Sequence, residues 1–124
     1  MSVISDIATY LAANGIGTLG TDIFYGYLPA GITSGVAILD TGGVEPDGYI
    51  PTKNPNFQIF LRSVDYDTGK AKLDAIRSLL HRVQNQTIGS VYFYYILAIS
   101  EGGHIGRNEA GQDEFSANYQ TLIR

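Results

Sequence analysis

His81 and His104 are the only two imidazoles in the chain. They do not stand at H-x-x-x-H or similar ligand spacing, so no histidine-based metal site is expected. His81 reads as a residue on a helix exterior and His104 as a turn residue. The carboxylate pairs are equally unpromising as acid–base partners. Asp113 and Glu114 are adjacent, and neighbours on a strand point to opposite faces. Asp65 and Asp67 fit turn and helix-cap chemistry. A chain without cysteine has no disulfide, no thiolate metal site and no cysteine nucleophile. No G-x-S-x-G, P-loop or EF-hand loop occurs. A small-molecule binding module or hydrolase would have to rely on His104 with Asp113 and Glu114. An enzyme is not expected, and neither is a cofactor.

Gly15-Ile16-Gly17-Thr18-Leu19-Gly20 matches G-x-G-x-x-G, with Asp40 about twenty residues on. A dinucleotide fingerprint follows a strand and opens a helix, so that the helix N-terminus meets the pyrophosphate. Here a helix precedes the glycines and a strand-like stretch follows, so the segment reads as a loop. Arg62, Arg77, Arg82 and Arg107 are scattered among acids. With a formal net charge of -4 and a pI near 4.9, the overall basic footprint of a nucleic-acid binder is missing. Asn85-Gln86-Thr87 is a glycosylation sequon that matters only in an exported protein, and the first residues lack the basic region of a secretion signal. The chain is expected to be made, and to act, without export through the secretory path.

The elements that would position these residues follow from periodicity. Ile4, Ile7, Ala8 and Leu11 share one helical face, with Ser2 or Ser5 as cap and Asn14-Gly15 as the left-handed end. Strands are expected at Ile23–Leu28 and Val36–Asp40. Thr41 to Asn56 is rich in Gly and Pro and reads as a long exposed loop, in which Tyr49 and Ile50 are candidate contact residues. Phe57–Val64 is a third strand, with Phe57, Ile59 and Leu61 on one face and Gln58, Phe60 and Arg62 on the other. Asp67 or Thr68 caps a second helix, whose stripe Leu73, Ile76, Leu80 and Val83 runs from Lys70 to Val83. Val91–Ile99 is the longest uncharged apolar run. At about 3.3 Å per residue it suits a central strand, and it is shorter than the ~20 residues of a membrane helix. Ser100–Gln112 reads as turn-rich. In Asp113–Arg124, Phe115, Ala117, Tyr119, Thr121 and Ile123 alternate with Ser116, Asn118, Gln120 and Leu122.

The 124 residues, 44% apolar and 16% charged, make one domain, residues 1–124, with a real core. The order of elements predicts an α+β fold: a mostly antiparallel or mixed sheet of about five strands, with two helices packed on one face. Strict alternation in the central run sends Val91, Phe93, Tyr95, Leu97 and Ile99 beneath the helices. Tyr92, Tyr94, Ile96 and Ala98 then project the other way, beside Gln58, Arg62, Asn118 and Gln120. This second sheet face is neither apolar core nor ordinary charged surface, and part of it is expected to meet another protein.

Three stretches carry a family resemblance. They are the helix Ile4–Leu11 with its Gly-rich loop and aromatic strand, the strand-to-helix unit Asn56–Ser63 running into Asp67–Val83, and Gly102–Gln112 followed by Phe115-Ser116-Ala117-Asn118-Tyr119. The Gly-Arg-Asn-Glu-x-Gly turn before a strand containing Asn-Tyr is the most specific of them. Together they resemble the tail terminator family of long-tailed bacteriophages, also labelled minor capsid or tail completion proteins. The resemblance implies a structural virion protein: a ring, usually a hexamer, on the head-proximal end of the tail tube. Such a ring stops tube polymerisation, joins the head completion proteins and passes DNA only as cargo, with no membrane involved. Another neck or connector ring protein, a head–tail adaptor or a tube-like protein, would share this physics. A ring needs two unlike patches. The expected interface residues are Tyr49, Ile50, Gln58, Arg62, Tyr92, Tyr94, His104, Arg107, Asn118 and Gln120. The loops Gly42–Asn54 and Gly102–Gln112 are the expected axial or lumen-facing contacts.

Overall fold

The computed structural model describes residues 3–44, 53–99 and 102–124. The chain runs α1 (Val3–Ala13), β1 (Ile23–Tyr25), β2 (Gly35–Val44), β3 (Asn54–Ser63), α2 (Tyr66–Leu80), β4 (Val83–Ile88), β5 (Val91–Ala98), β6 (Gly103–Arg107) and β7 (Asp113–Ile123). Its mixed sheet has seven strands, in the order β1-β2-β3-β7-β5-β4, with β6 also pairing β7. Among the described strands only β1 and β2 run parallel. The α+β class is as expected, and the count of about five strands is too low.

The two additional strands carry little periodic signal. β4 is a margin of the sheet. Only its end residues Val83 and Ile88 are buried, and Gln84, Asn85, Gln86 and Thr87 between them are exposed. The stripe that continues from Leu80 to Val83 at helical spacing is therefore misleading. His81 leaves the helix in extended geometry, Arg82 takes φ 68°, and Val83 reaches the core from a strand. His81 is the helix C-cap, with its Nδ1 accepting the Ala98 N–H at 3.0 Å, and not a plain exterior residue. β6 contains two glycines among five residues and resembles a turn in sequence. It continues β5 along the same side of β7, and the true turn shrinks to Asn108–Gln112.

Other boundaries move for local reasons. β1 stops at Tyr25 because Gly26 takes φ 89°, with its N–H donated to the Ile38 carbonyl at 2.9 Å. β2 passes Asp40 through a bulge in which the Asp40 carboxylate accepts the Gly42 N–H at 2.9 Å. The expected long loop is thus shortened to pairing that reaches Val44 and Asn54. Tyr49 and Ile50 lie outside the described residues. The N-cap of α2 is Asp65, not Asp67 or Thr68, and its side chain makes no cap bond. At the end of α1, Gly15 takes φ 83° and Ile16 N–H returns to the Leu11 carbonyl at 3.1 Å, the left-handed finish read from sequence.

The inner face is continuous. Phe57, Ile59 and Leu61 of β3 register with Tyr119, Ala117 and Phe115 of β7, and Leu61 and Ile59 also with Val36 and Ile38 of β2. Leu73, Ile76 and Leu80 of α2 and Ile7, Ala8 and Leu11 of α1 complete one cluster. Each fully buried aliphatic contributes about 1.5–3 kcal/mol. α2 comes close because residue 69 is glycine: a Cβ there would strike the Phe115 ring and lie 2.9 Å from Ser63 Cβ. Tyr119 stacks on Phe57 at 5.2 Å, and burial pushes its hydroxyl pKa up to about 12.

The two helices share this core but do not lie side by side on a flat face. β1 and β4 are opposite margins of the strand order, yet both touch α1, so the sheet curls and α1 spans the seam. The buried Asp6 of α1 pins that seam. Its Oδ2 accepts the Ser90 hydroxyl at 3.0 Å and the Ser90 N–H at 3.3 Å, from the β4–β5 turn.

Candidate interaction surface

The outer sheet face forms where β2, β3, β7 and β5 turn their alternate residues away from the helices. Gln58 registers with Asn118 and Asn56 with Gln120, with Asn118 and Gln120 exposed. Tyr95 and Leu97 join this face, registering with Leu122 and Gln120, whereas Ile96 and Ala98 register with the inner residues Thr121 and Tyr119. This reverses the expected assignment for Tyr95, Ile96, Leu97 and Ala98. The cause is a register shift between Phe93 and Tyr95, which makes Tyr94 an extra residue and lets Phe93 and Ile96, three apart, both point inward. Tyr92 and Tyr94 meet edge to face at 5.1 Å, the Tyr92 hydroxyl donates to Asn85 Oδ1 at 3.2 Å, and the Arg124 guanidinium lies 5.9 Å from the Tyr92 ring centre.

Arg62 shares this face but is occupied within the chain. Its Nε and Nη2 both reach Glu114 Oε2 at 3.1 Å, and its Nη1 donates to the carbonyls of Ile32 at 3.1 Å and Pro29 at 3.4 Å. Its side chain is 13% exposed. It ties the β1–β2 connection across the ends of β3 and β7.

His104 and Arg107 lie on the other side of the sheet. His104 registers with Phe115 and Arg107 with Asp113, so both stand on the α2 side of β6 and not in a free turn. The His104 Nε2–H donates to Asp113 Oδ1 at 2.8 Å, and Arg107 Nε–H donates to the same oxygen at 3.2 Å. The His104 hydrogen bond, followed by Arg107, holds the Asp113 carboxyl below its ordinary range against the opposing effect of burial. The His104 ring also meets Phe115 at 5.2 Å and Tyr66 at 5.3 Å. Asn108 builds the turn: its Oδ1 accepts the N–H groups of Ala110 at 3.1 Å and Gln112 at 2.9 Å, and its Nδ2 donates to Gln112 Oε1 at 2.8 Å. The Gly-Arg-Asn-Glu-x-Gly motif thus closes the β6–β7 hairpin and neutralises the buried Asp113. Its chemistry is that of structure.

Other conspicuous sequence features have similarly local jobs. The G-x-G-x-x-G segment lies between α1 and β1, the reverse of the order a dinucleotide loop needs. Asp22 Oδ1 accepts the Thr18 N–H at 2.6 Å and closes it as a turn. Among the described residues no group of three or more His, Asp or Glu side chains gathers at metal-binding distance.

At the β1 margin an apolar hollow of about 400 Å³ is lined by Leu19, Gly20, Ile23, Phe24, Tyr25 and Tyr27. Tyr25 is 47% exposed and Tyr27 66%. At the other side of β7, Ile105 is 58% exposed at a bulge between His104 and Gly106.

The family model described as bacteriophage tail terminator protein matches residues 10–124, nearly the whole chain. The chain belongs to this tail terminator family. No curated protein sequence matches it. Among solved structures, the fold of this terminator is similar to a chain of the virion of a native gene transfer agent particle. That likeness has a TM-score of 0.64 at 13% identity and covers 99% of the terminator and 98% of the other chain. Membership makes the protein a bacteriophage tail component, one of a family of structural virion proteins. No helix among its described residues is long and apolar enough to cross a membrane.

Of the expected interface residues, the terminator fold brings Gln58, Arg62, Asn118 and Gln120 onto one face, with Tyr92 and Tyr94 toward the β4 side. It separates His104 and Arg107 from them. Sequence reasoning missed the hollow at β1 and the projecting Ile105. The signal for the hollow was present: residues 23–39 contain no charged side chain, although Tyr25 and Tyr27 are at the surface.

Proposed function

We propose that this terminator forms a ring, a hexamer, on the head-proximal end of the tail tube. There it stops tube polymerisation and offers its opposite side to the head completion proteins, leaving a channel through which DNA passes as cargo. Family membership over residues 10–124 carries the reading. The fold agrees with it: among the described residues the sheet ends in two unlike strands, β1 on one side and β4 on the other, with β6 beside β7. A closed ring is built by such heterologous contacts, in which two different patches meet around a rotation axis. The outer face, with Gln58, Asn118, Gln120, Tyr95 and Leu97, is the surface for a tube or head partner. Apart from the aliphatic Leu97 its side chains are polar or amphipathic, as expected of a contact surface that is also wetted before assembly.

The role is mechanical, with no catalytic step. The His104–Asp113 pair is explained by hairpin closure. Negative-stain imaging of the protein alone and mixed with isolated tail tubes tests the reading. Rings of one size, and a single capped end per tube, are the expected result. Polymerisation into tubes, or binding only to heads, would assign the chain to another position in the neck.

A further inference from the structure

We propose that Ile105 of one copy seats in the apolar hollow at the β1 margin of the next copy, supplying the repeated contact that closes the ring. This rests on the ring reading above and adds the two surfaces that meet.

The hollow has the chemistry of a protein contact and lacks that of a small-ligand site. A ligand pocket combines apolar walls with a few convergent polar groups that fix orientation. Here the side chains around about 400 Å³ are Leu19, Ile23, Phe24, Tyr25 and Tyr27, with Gly20 as the backbone member. The adjoining segment, residues 23–39, has no charge, although residues 25–27, 30, 31, 33 and 34 are exposed. Depletion of charge with enrichment of aromatics is the compositional mark of an interface centre. Arg62 holds this segment in place through the Pro29 and Ile32 carbonyls, so the hollow is shaped before a partner arrives.

The same chain carries a side chain suited to fill it. Ile105 is the extra residue of the β6 bulge, and a bulge re-aims a side chain out of the regular pleat. It is a β-branched aliphatic left 58% exposed, on a strand that pairs only with β7 among the described residues. β1 and β6 lie on opposite sides of the β3–β7 pair, and Ile105 is left exposed, so one copy does not satisfy itself. An apolar projection on one side and an apolar hollow on the other define a heterologous contact, which gives a ring when its rotation closes. Exposed Arg107, two residues on, would stand beside Tyr25 and Tyr27, whose ring faces attract a guanidinium.

The absence of cysteine makes the test clean. Tyr27→Cys and Ile105→Cys proteins are prepared separately and mixed, then treated with a short bismaleimide, while native mass spectrometry follows assembly. The mixture should give a covalent dimer and each single variant alone should give none. Ile105→Asp should lower the ring population at least tenfold, while the urea midpoint, read at a concentration low enough for the parent to be monomeric, stays unchanged because the residue is exposed in one copy. A parent that forms rings while the mixture yields no dimer and Ile105→Asp still assembles would overturn this contact and leave the ring intact. A single variant that cross-links to itself would replace it with a two-fold contact. Cross-linking of Tyr27→Cys to the tube protein would give the hollow to that partner. A parent that stays monomeric at every concentration, and on tubes, would defeat the ring reading and this inference together.

Discussion

Replacing Arg62 by alanine tests whether this residue shapes the contact surface or forms part of it. The guanidinium donates three hydrogen bonds, one each to Glu114 and the Pro29 and Ile32 carbonyls, and its Nη2 makes an ion pair with the same Glu114 oxygen. Hydrogen bonds to charged groups contribute about 1.5–3 kcal/mol each when well shielded. Glu114, at 22% exposure, would be partly rehydrated in the variant, and the two carbonyls could find water. Removing one partner of a fully buried pair costs about 3–5 kcal/mol, so this partly exposed clamp should cost less, about 2–3 kcal/mol. For a domain of this size that lowers Tm by roughly 8–12 °C. Urea unfolding with a free m-value gives the energy, and amide exchange gives the location. Faster exchange should concentrate in residues 26–34 and at the β1 margin, ahead of the β7 centre. Arg62→Lys should recover only part of the loss, since one ammonium cannot bridge Glu114 and both carbonyls. A cost below about 0.5 kcal/mol with unchanged exchange in residues 26–34 would refute the clamp and return Arg62 to the role of a direct contact.

Three further outcomes are expected. Gly69→Ala gains about 1 kcal/mol of helix propensity but forces α2 off the Phe115 ring, an overpacking cost of about 1–3 kcal/mol; urea unfolding should therefore show little gain or a net loss. A clear stabilisation would mean that α2 can shift freely. Ser90→Ala removes the 3.0 Å bond to buried Asp6 and should destabilise by about 1.5 kcal/mol, with protection lost first along α1, which hydrogen exchange would detect. Asp113 has a folded pKa below its ordinary 3.8, so its contribution is fully present above that value and is lost as pH falls through the lower folded pKa. Urea midpoints at pH 5 and pH 3 should therefore fall more for the parent than for Asp113→Asn, and equal falls would detach Asp113 from acid sensitivity.

The parts legible from the sequence were those whose signal is local. Ile7, Ala8 and Leu11 lie at helical spacing and are buried, as are Leu73, Ile76 and Leu80. The alternation of Phe115, Ala117, Tyr119, Thr121 and Ile123 survives intact because β7 lies between β3 on one side and β6 and β5 on the other and carries no bulge of its own. The Asn108 turn was recognisable because its side chain bonds within four residues. These local patterns were also enough to suggest the family.

Tertiary structure decided the rest. A margin strand such as β4 needs no apolar face of its own, so its residues carry no period. One extra residue at Tyr94 rephases everything after it on β5, and periodicity cannot announce where a bulge will fall. The curl of the sheet rests on Asp6 and Ser90, which are 84 positions apart, and the hollow's frame rests on Arg62 and Ile32, 30 apart. His104 was a lone imidazole in the sequence, and only the fold places it on Asp113. The sequence by itself thus determined which elements form and which have a buried face. The curl, the bulges and the two unlike margins came from contacts between distant residues, whose energies depend on partners that no local window contains.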